Sequence, residues 1–288
     1  MLKRKIYDDL LRWKKDGTKP LLIYGQRQVG KTFIIDAFAK ENYDTYIYAN
    51  LDEEGDFRAI FDQSNRTVDD IMLSIRTLRQ IKELDPTTTL IFLDEIQACP
   101  EALSSLKSFR KDGRFNIMAS GSMLGVTTDL SGGEGPVSPM GDVRQLRMSS
   151  MDFEEFLWAN DIPQDAIDLV RRHIRECSEI ESPILEQFSR LFRIYQITGG
   201  MPASVQAYVD DRSSFTRSSE ELEDIVLQIR RDIIRYNSRT DAVKTAECFE
   251  SIPYQLSQIT RSSNIPRWMP MERRPVRRRI STSGTCCG

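Results

Sequence analysis

The sequence predicts an α/β fold in which a parallel β-sheet is sandwiched by helices and is followed by a helical region. Three observations predict this fold. Short apolar runs alternate with helical segments over roughly the first 150 residues, and such alternation gives parallel strands joined by right-handed crossovers. A glycine-rich loop leads from the first apolar run into a helix, and a later apolar run ends in two acids. Beyond that region the pattern is helical.

Five apolar runs account for the predicted sheet. A strand that is buried on both faces of a parallel sheet is continuously apolar rather than alternating. The predicted strands are 21–24, 45–49, 89–93, 115–119 and 143–148. The predicted helices are 3–15, 31–40, 67–82, 101–111, 151–157, 164–178, 183–196, 203–209 and 219–236. The first of these helices places Leu2, Ile6, Leu10 and Trp13 on one face, which favours a helix packed on the core over a targeting segment.

The loop after the first strand matches the phosphate-binding pattern G-x-x-x-x-G-K-[ST]. Its residues are Gly25, Gln26, Arg27, Gln28, Val29, Gly30, Lys31 and Thr32. Gly25 and Gly30 permit backbone shapes that a Cβ would block, so the loop N–H groups are free to face an anion at the positive end of the helix dipole. The pattern predicts that Lys31 contacts the β- and γ-phosphates of a nucleotide and that the Thr32 hydroxyl binds Mg²⁺.

Two acids, Asp94 and Glu95, end the third predicted strand. Ligands of parallel sheets lie at the carboxyl ends of the strands, so Asp94 is predicted to hold Mg²⁺ and Glu95 to polarise the attacking water. The alternative is a strand capped by solvated acids. The pair favours ATP hydrolysis over a small-molecule kinase, and the sequence lacks the Asn-Lys-x-Asp run with which GTPases recognise guanine.

The fourth predicted strand ends in Ser120-Gly121-Ser122. This small polar end suits contact with a γ-phosphate or with the attacking water. An ordinary strand-ending turn explains it equally well, and both interpretations stay open. Residues 125–141 are rich in Gly, Ser and Pro, and they are predicted to form a mobile loop.

Composition excludes several classes of protein. The formal net charge is −3, so no global basic field attracts nucleic acid. The sequence contains no run of 18 apolar residues, so it predicts no membrane span. The five cysteines lack the spacing of a zinc site or of a disulfide framework, which favours reduced thiols and a cytoplasmic location.

Together these segments resemble the prokaryotic AAA+-type ATPases, related to archaeal and STAND-like P-loop ATPases, that carry a C-terminal domain of unknown function. The resemblance holds from residue 1 to about 257. It is carried by four stretches, which are the phosphate loop 25–32 (Walker A), the acidic strand 90–97 (Walker B), Ala119–Gly125, and Met151–Leu157 followed by Gly199–Pro202.

The resemblance implies roles for matching residues. Lys31 and Thr32 correspond to the phosphate and Mg²⁺ contacts, and Asp94 and Glu95 to the Mg²⁺ acid and the catalytic base. Ser122, or Ser120, corresponds to the polar sensor that completes the catalytic set. Gly200-Met201-Pro202 is similar to the G-x-P of STAND-type ATPases, whose proline lies near the adenine and the lid.

An arginine finger is also expected in such enzymes. A second copy of the chain, or another protein, would then be the partner that supplies it. The candidates are Arg110, Arg114, Arg144 and Arg147, with Arg144 and Arg147 preferred because they follow the predicted mobile loop.

Three regions are predicted, namely an ATPase core (1–157), a helical lid with the start of a winged-helix-type region (158–258), and a basic tail (259–288). The tail holds seven Arg and one Glu, and hence a net charge of +6. Family members run on for well over 100 residues past residue 256. The tail is interpreted either as a basic arm for nucleic acid or, preferably, as an out-of-frame end after truncation.

The predicted function is ATP binding and Mg²⁺-dependent ATP hydrolysis, with an unknown biological output. One alternative is a non-catalytic switch that binds ATP and changes partners. Another is a DNA-associated ATPase, which rests on the winged-helix resemblance and the basic tail.

Overall fold

A computed structural model describes residues 2–17, 19–62, 66–122, 141–236 and 239–257. Its centre is a sheet of five parallel strands in the order β2-β3-β4-β1-β5. The strands are β1 (Leu21–Gly25), β2 (Thr45–Asn50), β3 (Thr89–Asp94), β4 (Asn116–Ser122) and β5 (Arg144–Met148). The predicted α/β fold is confirmed, and each predicted strand overlaps an observed one. Because β4 lies between β1 and β3, the ends of these three strands meet at one edge of the sheet.

Helices cover both faces of the sheet. The bounds in the first part of the chain are α1 (Ile6–Asp16), α2 (Lys31–Asn42), α3 (Gly55–Arg58), α4 (Val68–Leu78) and α5 (Pro100–Asp112). Helices α1 and α2 contribute Leu10, Trp13 and Phe38 to a core on one face. Helices α3, α4 and α5 contribute Phe57 and Ile75, among others, to a core on the other face. All six residues of β3 are buried between these layers, as its continuously apolar sequence predicts.

Local sequence explains where these helices begin and end. Thr67 and Asp70 form a capping box at the start of α4, each side chain accepting the other residue's backbone N–H. Pro100 stands in the first turn of α5, and Gly113 ends that helix in the left-handed conformation. Helix α4 ends at Leu78, four residues before the predicted boundary, and Gln80 after it has a φ of 55°.

A helical region follows β5. Its elements are α6 (Phe153–Ala159), α7 (Gln164–Glu176), α8 (Ser182–Thr198), α9 (Pro202–Asp210), α10 (Thr216–Tyr236) and α11 (Arg239–Ser257). Helices α6 to α9 share a third core that includes Phe156, Leu191, Val205 and Tyr208. The sequence did not predict α11, which carries Pro253 in its interior.

The chain divides into two compact units between Ile225 and Val226. In the second unit, Arg230 Nε lies 2.8 Å from Glu250 Oε1, and this ion pair joins α10 to α11. Its described helices expose several large apolar side chains, among them Val243, Tyr254 and Leu256. The domain boundaries at 157/158 and 258/259 and the winged-helix-type region stay predictions.

Two further predictions fall on residues without a description. The predicted mobile loop, apart from Gly141, and the basic tail 259–288 lie outside the described residues. Within the described ranges, every helix is too short or too polar to cross a lipid bilayer.

Candidate active site

The loop between β1 and α2 has the backbone shape of an anion cradle. Gln28 and Gly30 have φ values of 61° and 90°, both in the left-handed region. Gly30 is the N-cap of α2 and offers no side chain to the first turn. The N–H groups of that turn lack partners within the helix, and they stand at the positive end of the helix dipole. The loop therefore suits a phosphate.

Gly25 is required for a second reason. A Cβ at this position would stand 2.0 Å from the carbonyl oxygen of Met148, which is backbone and cannot move aside cheaply. The loop therefore begins where β5 passes close to the end of β1. The other predicted loop residues differ in exposure. Gln26 is exposed, Arg27 is half-buried, and Val29 is fully buried in the core beneath α2.

Lys31 is folded into the loop. Its side chain is mostly buried, and Nζ donates to the carbonyl oxygens of Gly25 at 3.2 Å and Gln26 at 2.7 Å. Burial lowers the pKa of Lys31, while the negative charges of Glu95 and Asp94 oppose that shift. An ammonium that has already lost much of its water costs less to place against an anion.

Asp94 collects hydrogen-bond donors from two neighbouring strands, one helix and the backbone that follows it. It is 4% exposed. Its Oδ2 accepts from Thr32 Oγ1 at 2.8 Å and from the Tyr48 hydroxyl at 3.3 Å. Its Oδ1 accepts from Ser120 Oγ and from the Glu95 backbone N–H at 3.0 Å. These donors fix the carboxylate directly beside Thr32, and the two side chains supply the oxygen ligands that Mg²⁺ prefers.

Glu95 stands beside this carboxylate in an unusual conformation. Its φ is 51°, a left-handed value that costs a non-glycine residue energy. Gln97 Nε2 donates to Glu95 Oε2, and Gln97 Oε1 accepts from the Ser122 N–H at 3.3 Å. Gln97 therefore links the carboxylate of Glu95 to the end of β4.

The two serine candidates have different surroundings. Ser120 is fully buried and its hydroxyl donates to Asp94. Ser122 lies opposite Gly25 in the parallel register, at the end of β4, and its backbone binds Gln97. The structure thus brings Ser120 into the Asp94 cluster and Ser122 to the loop. The sensor role of Ser122 stays a prediction.

Pro202 lies next to the phosphate loop. It is the first residue of α9, and its Cγ is 3.9 Å from the position that a Cβ on Gly30 would occupy. The two residues are far apart in the sequence, so it is the fold that brings the G-x-P segment to the loop.

Three of the four arginine candidates lie in surface ion pairs. Arg110 pairs with Asp142, and Arg114 pairs with Asp69 and Asp112 at 2.6 Å. Arg144 Nη1 lies 3.4 Å from Asp16. Arg144 is opposite Leu21 in the register, four residues or about 13 Å from Gly25 along the strand. It therefore lies at the end of the sheet away from its own phosphate loop. Arg147 is exposed on the same edge strand. The finger stays a prediction.

Sequence reasoning missed Tyr48 and Gln97. Burial and the adjacent charge of Asp94 raise the pKa of Tyr48, so its hydroxyl stays protonated and donates. The signal for Tyr48 was its position in a strand that pairs with β3, two residues before the strand end. Gln97 follows the acid pair closely, but only the geometry shows that it reaches both Glu95 and Ser122.

Strand β1 leads into a glycine-bearing loop with Lys31 and Thr32, and β3, which is separated from β1 by β4, ends in Asp94. This arrangement defines a P-loop NTPase. Residues 17–157 match the sequence profile of an AAA domain, and residues 189–282 match a domain of unknown function. Residues 17–157 therefore belong to the AAA-domain family of P-loop proteins, as the resemblance predicts. No curated protein sequence matches the chain.

Three solved structures exemplify the proteins to which the chain is similar. A Walker-type ATPase of Pyrococcus abyssi is 15% identical, with a TM-score of 0.46, and the match covers 82% of this chain and 77% of that one. AMPPCP-bound DnaA from Aquifex aeolicus is 15% identical with a TM-score of 0.44, covering 90% and 80%. The Aeropyrum pernix Orc1 protein in complex with DNA is 14% identical with a TM-score of 0.38, covering 84% and 69%.

Proposed function

We propose that the protein binds ATP together with Mg²⁺ and hydrolyses it. The observation that carries this proposal is the 2.8 Å hydrogen bond from Thr32 Oγ1 to Asp94 Oδ2, beside the phosphate loop. It places a hydroxyl and a carboxylate side by side next to a buried lysine, and the next residue in the chain is a second carboxylate. Binding a triphosphate and a divalent cation explains why these groups converge.

Nucleotide binding rests on the loop. The loop N–H groups and Lys31 would hold the β- and γ-phosphates, and Pro202 on α9 would lie towards the adenine. Thr32 and Asp94 would hold Mg²⁺, which when bound neutralises charge on the phosphate oxygens. Both side chains offer oxygen only, which fits this cation.

Hydrolysis rests on Glu95. Its carboxylate would orient a water molecule in line with the γ-phosphate and hold the proton that the water gives up. Gln97 would keep that carboxylate pointed at the end of β4, where Ser122 would contact the same phosphate. Since catalysis of this kind is mostly positioning and charge stabilisation, the rate should respond strongly to Glu95.

Steady-state turnover and ATP affinity of three variants test the proposal. Glu95→Gln keeps the shape but lacks the basic carboxylate, so turnover should fall at least ~100-fold while ATP is still bound. Lys31→Ala should lose ATP binding itself. Glu83→Gln, an exposed carboxylate away from the loop, is the matched control and should behave as wild type.

Each other outcome has a defined meaning. Binding by wild type without any turnover would identify a nucleotide-dependent switch rather than an ATPase. Equal ATP affinity of Lys31→Ala and wild type would refute binding at this loop.

A further inference from the structure

A buried arginine outside the nucleotide-binding motif touches the phosphate loop from behind. Arg4 lies two residues before the first residue of α1 and is 8% exposed. Its Nη1 donates to the carbonyl oxygen of Val29 at 2.9 Å, and its Nη2 donates to the carbonyl oxygen of Ser149 at 2.6 Å. Its Nε lies 3.2 Å from Glu155 Oε1. The last contact is an ion pair rather than a directed hydrogen bond, because Nε has no hydrogen-bond partner among the described residues.

The contact with Val29 fixes the direction of one loop N–H group. A trans peptide is planar, so the Val29 C=O and the Gly30 N–H belong to one rigid plane and point in opposite directions. When Arg4 holds the carbonyl on its own side, the N–H of Gly30 must face the other side. Gly30 has a φ of 90° and no side chain, so its own conformational preference does little to hold this peptide in place.

Arg4 is itself held by a second buried charge. Glu155 is 5% exposed and lies in the first turn of α6. It also accepts the Lys5 N–H at 2.7 Å and the Asp152 N–H at 3.2 Å. A buried guanidinium with a carboxylate and two carbonyls around it has little freedom to move. The phosphate loop, the start of α1 and the start of α6 therefore meet at one side chain.

We infer that Arg4 is a positioning residue for the phosphates, which aims the Gly30 N–H into the loop and ties it to helix α6. This inference rests on the proposed nucleotide binding and deepens it. Arg4 does not touch the nucleotide and acts through the Val29–Gly30 peptide. Because coupling between sites is reciprocal, phosphate bound at Gly30 should in turn stabilise the start of α6.

Affinity for three ligands separates positioning from mere stability. The ligands are Mg·ATP, inorganic tripolyphosphate and adenosine, each measured by calorimetry. In Arg4→Lys, one ammonium replaces a planar fork that donates to two carbonyl oxygens, while the charge beside Glu155 is kept so that the chain folds. We expect affinity for ATP and tripolyphosphate to fall at least tenfold and affinity for adenosine to stay within twofold. Arg12→Lys, an exposed arginine on α1 that pairs with Asp9, is the control and should match wild type.

Hydrogen exchange tests the link to α6. In wild type, tripolyphosphate should slow exchange at the backbone of residues 153–157, and in Arg4→Lys that protection should be lost. An Arg4→Lys variant that binds tripolyphosphate as tightly as wild type would overturn the inference and leave the proposed function intact. Equal loss for all three ligands would also overturn it, because it would reveal a structural role alone. If wild type binds neither ATP nor tripolyphosphate, both proposals fall.

Discussion

Two buried carboxylates flank the phosphate loop, and their surroundings differ. Asp94, at the end of β3, accepts hydrogen bonds from three neutral side chains and one backbone N–H. Glu155, in α6, faces the guanidinium of Arg4 at 3.2 Å and accepts two backbone N–H groups. Among the described residues, neutral groups orient the first carboxylate, and the charge of Lys31 acts on it without a direct ion pair, whereas the second carboxylate is paired directly with Arg4. A buried carboxylate that is oriented without a direct ion pair is costly, so it indicates function, whereas a directly paired one indicates structure.

The strongest test of this contrast is Asp94→Asn. It should weaken Mg·ATP binding about 100-fold, or by about 2.8 kcal/mol, and leave Mg²⁺-free ATP binding almost unchanged. The free energy of unfolding without nucleotide should stay level or rise, because the substitution removes a buried charge. Calorimetry with and without Mg²⁺, together with urea unfolding, measures both quantities.

Asp9→Asn, which alters a surface carboxylate on α1, is the control for Asp94→Asn and should change neither quantity. If Asp94→Asn destabilised the nucleotide-free protein by several kcal/mol, Asp94 would be a structural residue and the contrast would be wrong.

Glu155→Gln, in contrast, should lower the free energy of unfolding. Removing one partner leaves the buried charge of Arg4 uncompensated, which costs about 3 kcal/mol in comparable pairs. Urea unfolding should therefore show a large loss of stability. Gln187→Glu, which adds a charge at an exposed position of α8, should change stability by less than about 0.5 kcal/mol. If Glu155→Gln lowered the free energy of unfolding by less than about 1 kcal/mol, the Arg4–Glu155 ion pair would contribute little to stability.

The next largest effect on stability concerns the backbone contact between Gly200 and Met151. A Cβ on Gly200 would stand 2.1 Å from the carbonyl oxygen of Met151, whose N–H donates to the Gly200 carbonyl at 2.7 Å. Gly200→Ala should therefore lower the unfolding free energy by about 1–3 kcal/mol, seen as a lower melting temperature. Gly141→Ala, with no described atom within 4 Å of the added carbon, should melt as wild type does. If Gly200→Ala and Gly141→Ala had the same melting temperature, the backbone at Met151 and Gly200 would accommodate the added carbon at little cost.

The smallest effect concerns pH. Burial raises the pKa of Glu154, but hydrogen bonds from Lys5, Arg171 and Gln164 outweigh burial and bring this pKa to about 2, below the ordinary value of 4.5. A pKa that is lower in the folded state contributes stability above the unfolded value and loses it as pH falls towards the folded value. The stability difference between wild type and Glu154→Gln should thus be present at about pH 6 and shrink between about pH 4.5 and 2. A difference that is constant over this window would contradict the assignment.

The sequence alone predicted the sheet and the position of Asp94, because both follow from contiguous segments of the chain. The loop 25–32 is contiguous, and Asp94 follows a run whose continuous apolar character already predicts a buried parallel strand. Tyr48 and Ser120 reach Asp94 from positions 46 and 26 residues away, which only the strand order and register reveal.

The buried ion pair between Glu155 and Arg4 could not be predicted from the sequence. Arg4 stands in a basic N-terminal run that resembles a solvated surface, and its partners lie 25 and 145 residues away. Glu155 fits a capping box and needs no further explanation on sequence grounds. Charged side chains are seldom buried, so a pattern alone gives no reason to place these two in the interior.

The four residues from Met148 to Met151 form the passage from the sheet to the helices. Gly25 packs against the carbonyl of Met148, Arg4 donates to that of Ser149, and the Gly200 carbonyl accepts a hydrogen bond from the Met151 N–H. Linkers that proteases cut are exposed and make few such bonds, so this passage should resist cleavage. A fragment that ended at residue 157 would lose Gly200 and the α7–α9 side of the third core. We therefore expect residues 1–157 alone to be less stable than a fragment that includes the helices up to Asp210.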